Sequence, residues 1–368
     1  MTITRPIERA EERAEAARIV ARLIAAGAVP VEADILQPAG TLLDLYGEDI
    51  RARAYVTQDP LLGEMMLRPD FTVPVVEMHM SNGAAPARYA YMGEVFRRQE
   101  EDTGRAREYV QAGYEVFAED AEAADAEVFA LFSDLLAGRG LQAVTGDIGI
   151  LTAAVRGLDT SEARKAALMR HIWRPARFRA LLTRYSGAAL SGTRRALLAR
   201  VAADGPEAVV RAAGQATGLR TGAEIAARLR ALAEDAALPP IAPGEVAVLD
   251  RLLGLSAPAP QALAVLRDLA GEMPALGPAV DRAARRLDAM GARGVDVASL
   301  PFDVSHGRST MEYYDGFVFS FLAPGRDGWP PVAVGGRYDA LTARLGRGRS
   351  MRAVGGVVRP ALLLALRA

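Results

Sequence analysis

The sequence predicts an α+β protein, a sheet flanked by helices that is interrupted by a helical insertion and then resumed. Three observations carry that prediction. From about residue 31 to 120, short apolar runs alternate with polar turns. From about 156 to 292, Ala, Leu and Arg recur at helical periods, and beyond Val295 the strand texture returns. The 368 residues leave room for two to three domains of ordinary size. The expected division is a discontinuous core, residues 1–155 and 295–368, around a helical region of residues 156–294. No repeat of solenoid period is present.

Residues 7–27 mix charge with Ala, Ile, Val and Leu at helical spacing and stop at Gly27 with Pro30 beyond, so they predict an amphipathic helix. Arg53–Thr57, Met65–Leu67, Arg88–Met92 and Gly113–Phe117 read as strands, and Pro74–Met80 as a helix. A helix over Ala121–Gly138 puts Ala, Val, Phe and Leu on one face, and a strand follows near Ala143–Ile148. In the helical stretch, Asp159-Thr160-Ser161-Glu162 and Thr221-Gly222-Ala223-Glu224 each fit a capping box. Gly205, Gly254 and Gly291 have the character of helix stops. Strands at Asp296–Val304, Gly316–Phe321 and Pro331–Gly335 and a closing helix from about Ala340 complete the chain.

Composition excludes several classes of function. Forty-four basic and 45 acidic residues give a net charge of −1, so no whole-chain basic field invites nucleic acid. An apolar share of 51% with 24% charged residues belongs to a globular chain. Without cysteine there is no disulfide, thiolate nucleophile or cysteine metal site, which fits a reducing compartment. Three scattered histidines, His79, His171 and His306, do not make a zinc site and read as structural. The apolar stretch Val357–Leu366 is too short to span a membrane and is broken by Arg359 and Pro360. The N-terminus is charged from Arg5 onward, unlike a signal peptide, so a cytoplasmic protein with no metal and no cofactor is expected.

Four stretches carry more polar residues than a core needs. In Leu67-Arg68-Pro69-Asp70-Phe71-Thr72 a strand end turns into a helix, whose free amides suit an anion while Asp70 and Thr72 offer oxygens to an ammonium group; either residue equally suits a plain helix cap. The second is Gly93-Glu94-Val95-Phe96-Arg97-Arg98-Gln99-Glu100. In the third, Gln111, Gly113 and Glu115 share one strand face, the pattern of a small polar ligand site or of a solvated sheet. The fourth joins Glu312-Tyr313-Tyr314-Asp315-Gly316 to Gly335-Gly336-Arg337-Tyr338-Asp339. If residues 313 and 314 continue a regular strand, only one of the two tyrosines faces a given cavity.

The order RPDFT, GEVFRRQE, GRAREYVQAGYEVF, EYYDGFVF, GGRYD resembles the histidyl-tRNA synthetases over roughly residues 5–155 and 295–358. That resemblance implies the class II aminoacyl-tRNA synthetase core, a mixed and mainly antiparallel sheet, and a histidine-shaped pocket. Asp70 and Thr72 would hold the ammonium end with help from Gln111. Glu115 and Tyr314 would reach the imidazole, with Tyr313 beside them, and Arg97 would be the second-motif arginine that meets the carboxylate.

The departures from the synthetase pattern are as informative. Gln99 stands where the second motif has an acid. Ser309 stands where the catalytic arginine belongs, with Arg308 one place off, and Arg359 lacks the preceding Glu of the third motif. The chain also stops at Ala368, where the synthetases continue into an anticodon-binding domain. With RPDFT in place of RPEGT, the pattern resembles the regulatory subunits of short-form ATP phosphoribosyltransferase. That branch implies a non-catalytic allosteric protein, with no catalytic residues of its own, that activates a short catalytic subunit and lets histidine inhibit the first step of histidine biosynthesis. It implies a homodimer within a hetero-oligomer and no tRNA partner. The alternative is a histidine-activating enzyme with a non-tRNA acceptor. The arginines Arg97, Arg98, Arg105 and Arg107 suit either an anionic partner or a solvated loop.

Overall fold

The computed structural model describes residues 9–41, 54–99, 106–187, 191–214, 218–308 and 313–367. Ser309, Glu312, Arg105 and the start of the strand expected at Arg53 lie outside the described residues.

Helix α1 (Arg9–Ala25) leads into β1 (Val29–Pro30), β2 (Leu36–Pro38), β3 (Val56–Asp59) and β4 (Gly63–Leu67). Helix α2 (Thr72–Asn82) precedes the long hairpin of β5 (Ala87–Phe96) and β6 (Glu108–Phe117), followed by α3 (Ala121–Leu135) and β7 (Gln142–Asp147). Seven helices then follow: α4 (Ile148–Gly157), α5 (Glu162–Arg170), α6 (Pro175–Tyr185), α7 (Gly192–Asp204), α8 (Pro206–Ala212), α9 (Gly222–Ala237) and α10 (Pro243–Leu253). The chain returns through β8 (Ser256–Pro258), α11 (Ala259–Glu272), α12 (Gly277–Ala292) and β9 (Pro301–Asp303). It ends with β10 (Phe317–Leu322), β11 (Ala333–Arg337), α13 (Asp339–Leu345), β12 (Ala353–Val358) and α14 (Pro360–Ala365).

Among the described residues nine strands make one sheet, in the order β1-β5-β6-β12-β11-β10-β7-β9-β8, and β2-β4-β3 make a small second one. Every junction of the large sheet is antiparallel except β1–β5 and β7–β9. One face is covered by α3, where Phe129 and Phe132 pack on Phe317, Phe319 and Phe321 with ring centroids 5.5–6.1 Å apart. The other face carries the polar residues of β6.

Several expectations shift, each for a local reason. The closing helix from Ala340 stops at Leu345. β12 then enters the middle of the sheet, although its Ala-Val-Gly-Gly-Val-Val is a weak strand signal on its own. The strand expected over residues 296–304 shrinks to 301–303, because only Phe302 pairs with β7. Gly291 lies inside α12, and the chain reverses only at Gly294, φ 83°. The capping box at Thr221 forms in full, whereas at 159–162 the N-cap is Ser161, whose hydroxyl accepts from the Arg164 amide at 3.3 Å.

Candidate functional site

The site begins where β4 turns into α2. Arg68 is buried and fixes that turn, donating from Nε to the Glu94 carbonyl at 2.8 Å and lying 4.0 Å over the Phe71 ring. Phe71 is the N-cap of α2 and its own side chain makes no cap, while the Thr72 hydroxyl is turned to Glu115. Asp70 is 5% exposed, and its carboxylate accepts from the first amides of the helix, those of Thr72 and Val73, the latter at 3.4 Å to Oδ1. Burial pushes its carboxyl above the ordinary value, against the pull of Arg97.

β6 delivers the centre of the site. Gln111, Gly113 and Glu115 do share a face, and that face is buried: Gln111 and Glu115 are each 1% exposed. The Tyr91 ring lies across Gly113, where a Cβ would come 2.3 Å from its Cζ, and stacks on Phe71 at 4.5 Å. This side chain carries its hydroxyl to Glu115 Oε1, donating at 2.8 Å. Thr72 Oγ1 donates to the same oxygen at 3.0 Å, and Tyr338 OH donates to Oε2 at 2.5 Å. Gly355 is the partner of Glu115 in the register, and a Cβ there would sit 1.6 Å from Oε2. The glycine is what makes room for the carboxylate. Burial raises Glu115 to about 7, offset by the three hydroxyls and reinforced by Asp70.

Tyr313 and Tyr314 do not continue β10, which starts at Phe317. The condition for their facing opposite ways, a regular strand, is therefore not met, and both stand at the site. Their rings are 4.8 Å apart; Tyr313 OH donates to Thr72 Oγ1 at 3.5 Å, and Tyr314 packs on Gly336. A chain of hydroxyls thus runs from Tyr313 through Thr72 to Glu115. The Gln111 side-chain oxygen, Oε1, is buried with no hydrogen-bond partner among the described residues.

At the other end Arg97 Nε donates to the Pro69 carbonyl at 3.2 Å and acts on Asp70. Arg359 is half-buried near it and donates to the Pro331 carbonyl. Arg308 turns away. Its Nε donates to the Ile172 carbonyl at 2.7 Å and its guanidinium lies 5.1 Å over the Phe178 ring, on α6 and the turn before it.

All seven residues expected at the site are gathered here except that Arg97 stands at its edge beside Asp70. Sequence reasoning missed Tyr91 and Tyr338, which are bonded to Glu115; Tyr91 lies in the expected strand Arg88–Met92 and Tyr338 in the GGRYD motif, but only the strand register brings them to the acid. The three histidines lie elsewhere. His79 is sandwiched by Phe117 at 3.8 Å with Tyr89 OH at 3.0 Å, and His306 meets Ser320 Oγ at 2.9 Å. Among the described residues no group of acids and histidines has metal-binding geometry, and no helix is long and apolar enough to cross a membrane.

A buried acid ringed by hydroxyls, a second acid with a guanidinium beside it, and an unpaired amide oxygen suit a zwitterion with a nitrogen-bearing side chain. The family whose description is Histidyl-tRNA synthetase matches residues 5–250 and 226–361. An ATP phosphoribosyltransferase regulatory subunit of Agrobacterium fabrum is 34% identical over 347 residues, 88% of this chain and 89% of that one. That of Mesorhizobium japonicum is 34% identical over 356 residues, 92% and 94% of the two chains. In fold, the chain is similar to a crystal structure described as an ATP phosphoribosyltransferase regulatory subunit/histidyl-tRNA synthetase from Bacillus halodurans. There the TM-score is 0.69 at 21% identity, covering 100% of this chain and 82% of that one. A histidyl-tRNA synthetase from Nostoc gives a TM-score of 0.63 at 17% identity, covering 100% and 74%.

Proposed function

The chain belongs to the histidyl-tRNA synthetase family and, within it, to the ATP phosphoribosyltransferase regulatory subunits, and from that premise we propose that it senses histidine for a separate catalytic chain and makes no adenylate itself. Its partner is the short-form ATP phosphoribosyltransferase catalytic subunit, which it activates in a cytoplasmic hetero-oligomer built on a homodimer of this chain. Histidine occupies the pocket of Asp70, Thr72, Arg97, Gln111, Glu115, Tyr313 and Tyr314, joined by Tyr91 and Tyr338. Asp70 takes the ammonium group, Arg97 the carboxylate and Glu115 an imidazole N–H. Residues 156–294 form the helical region inserted in the discontinuous core of residues 1–155 and 295–368; within that region β8 pairs into the large sheet and α12 is tied to α3.

The observation that carries the reading is Glu115, a buried carboxyl group that among the described residues is bonded only to neutral hydroxyls. Burying an acid without a cation is unfavourable unless a ligand donor compensates it. Arg308 supports the absence of adenylate chemistry, since its guanidinium is engaged with Ile172 and Phe178. Regulation follows by linkage: histidine binds one state of the assembly better and shifts the partner toward it, with a coupling of about 1–3 kcal/mol.

Mixing the purified chain with a short catalytic subunit tests this. Phosphoribosyltransferase activity rises on mixing and falls when histidine is added, and Glu115→Gln abolishes the fall while leaving the rise. No rise on mixing overturns the reading. Histidine-dependent pyrophosphate–ATP exchange by the chain alone replaces it with the histidine-activating enzyme, a reading favoured only by the retention of Arg97 and Arg359 near the turn at Pro69.

A further inference from the structure

Away from the pocket, a cleft of about 1020 Å3 opens between the C-terminal half of α2 and the loop that follows α13. Glu77, Met78 and Ser81 stand on one wall, and Arg344, Arg347 and Arg349 on the other. The loop is tied at its base. The Thr342 hydroxyl, fully buried, accepts from the Met351 amide at 3.0 Å and donates to that residue's carbonyl, so residues 343–350 form a closed excursion. The Arg349 amide then returns to the Gly346 carbonyl at 3.0 Å.

Arg347 sits at the tip with φ 49°, the only non-glycine residue in the left-handed region among the described residues. A side chain held in that conformation is a strained feature that the surrounding structure maintains. Arg347 and Arg349 are exposed, and neither has an ion pair among the described residues. Among the described residues Glu77 is the only acid lining the cleft, against three guanidinium groups, and Met78, Met80 and Leu345 give it an apolar floor.

We propose that this cleft binds the phosphate chain of a small phosphorylated molecule, clasped by Arg347 and Arg349. Guanidinium forks match phosphate oxygens two at a time, and two of them spaced two residues apart on a tied loop are held ready without a large ordering cost. The volume is that of a small-molecule site. The cleft shares no residue with the Glu115 pocket, so its failure and the failure of the histidine reading are separate results.

The test uses the full chain with 13C-labelled methionine methyls, following Met78 and Met80 while ATP is added and, in a parallel arm, inorganic pyrophosphate. Both signals are expected to shift saturably. The midpoint weakens about tenfold or more in Arg347→Gln/Arg349→Gln, and the Lys/Lys variant recovers part of the loss. A shift with pyrophosphate assigns the recognition to the phosphate chain alone, and a shift with ATP only assigns it to a nucleotide. No shift with either probe, or shifts unchanged in the Gln/Gln variant, overturns the proposal. So does a shift produced only by adding the catalytic chain, which makes the cleft a protein contact.

Discussion

Two buried carboxyl groups on the two faces of one sheet have opposite surroundings. Asp125, on α3, is held by two guanidinium groups: Arg337 donates to it at 2.7 and 3.0 Å and Arg286 at 3.2 Å. Asp339 and Asp147 complete the network. Glu115, on β6, is equally buried but meets only hydroxyls among the described residues. The first cluster is electrically closed and joins α3 to α12 and β11. The second is a charge site that the protein leaves uncompensated. The difference separates a buried acid that holds the fold together from one that awaits a ligand, although both are 1% exposed.

The largest effect comes from breaking the closed cluster. Asp125→Ala leaves two guanidinium groups buried with part of their compensation gone and is expected to cost about 3–5 kcal/mol in urea unfolding. A loss below 1 kcal/mol would mean that Asp147 and Asp339 suffice alone.

The open cluster responds to pH instead. Glu115 at about 7 in the folded chain lies above its ordinary 4.5, so the folded state holds this proton more tightly than the unfolded one. The associated stability is complete below about pH 4.5 and is lost as pH rises toward 7, by about 3 kcal/mol. Glu115→Gln should flatten that part of the stability profile, as read from urea midpoints at a series of pH values. An identical slope in the variant would contradict the description of Glu115 as the uncompensated acid.

The smallest effect is expected from Tyr338→Phe, which removes one of three donors at a cost of about 1 kcal/mol. Because that hydroxyl favours the charged form, its loss moves the end of the pH-dependent loss above 7. Histidine titrated calorimetrically into this variant reports whether the hydroxyl yields to the imidazole. Tighter binding than in the parent chain means that it competes with the ligand.

Much of the site is legible from sequence where the backbone is regular. Gln111, Gly113 and Glu115 fall on one face because a strand alternates with period two, and β6 is unbroken from Glu108 to Phe117. The same rule does not reach Tyr313 and Tyr314, because residues 313–316 are not in a strand. β12 escapes because two adjacent glycines weaken its pattern. Those same glycines are required by the fold, since Gly355 admits the Glu115 carboxylate and Gly356 lies against Phe132 and Phe319. Arg308 reads in sequence as a near-substitute for the absent arginine, and its actual direction depends on contacts with Ile172 and Phe178.

By itself the sequence determined the chemical stock of the pocket: two acids, an amide, hydroxyls and an arginine, in an order that marks the family. Local periodicity and motif order are written in covalent geometry, so a single chain displays them directly. Only the tertiary structure decided that Glu115 meets no cation among the described residues, that its donors come from Thr72, Tyr91 and Tyr338, and that its proton is retained to near neutral pH. Those properties depend on burial and on partners 43, 24 and 223 residues away along the chain. Distances of that kind are set by sheet register and packing, which no local pattern encodes.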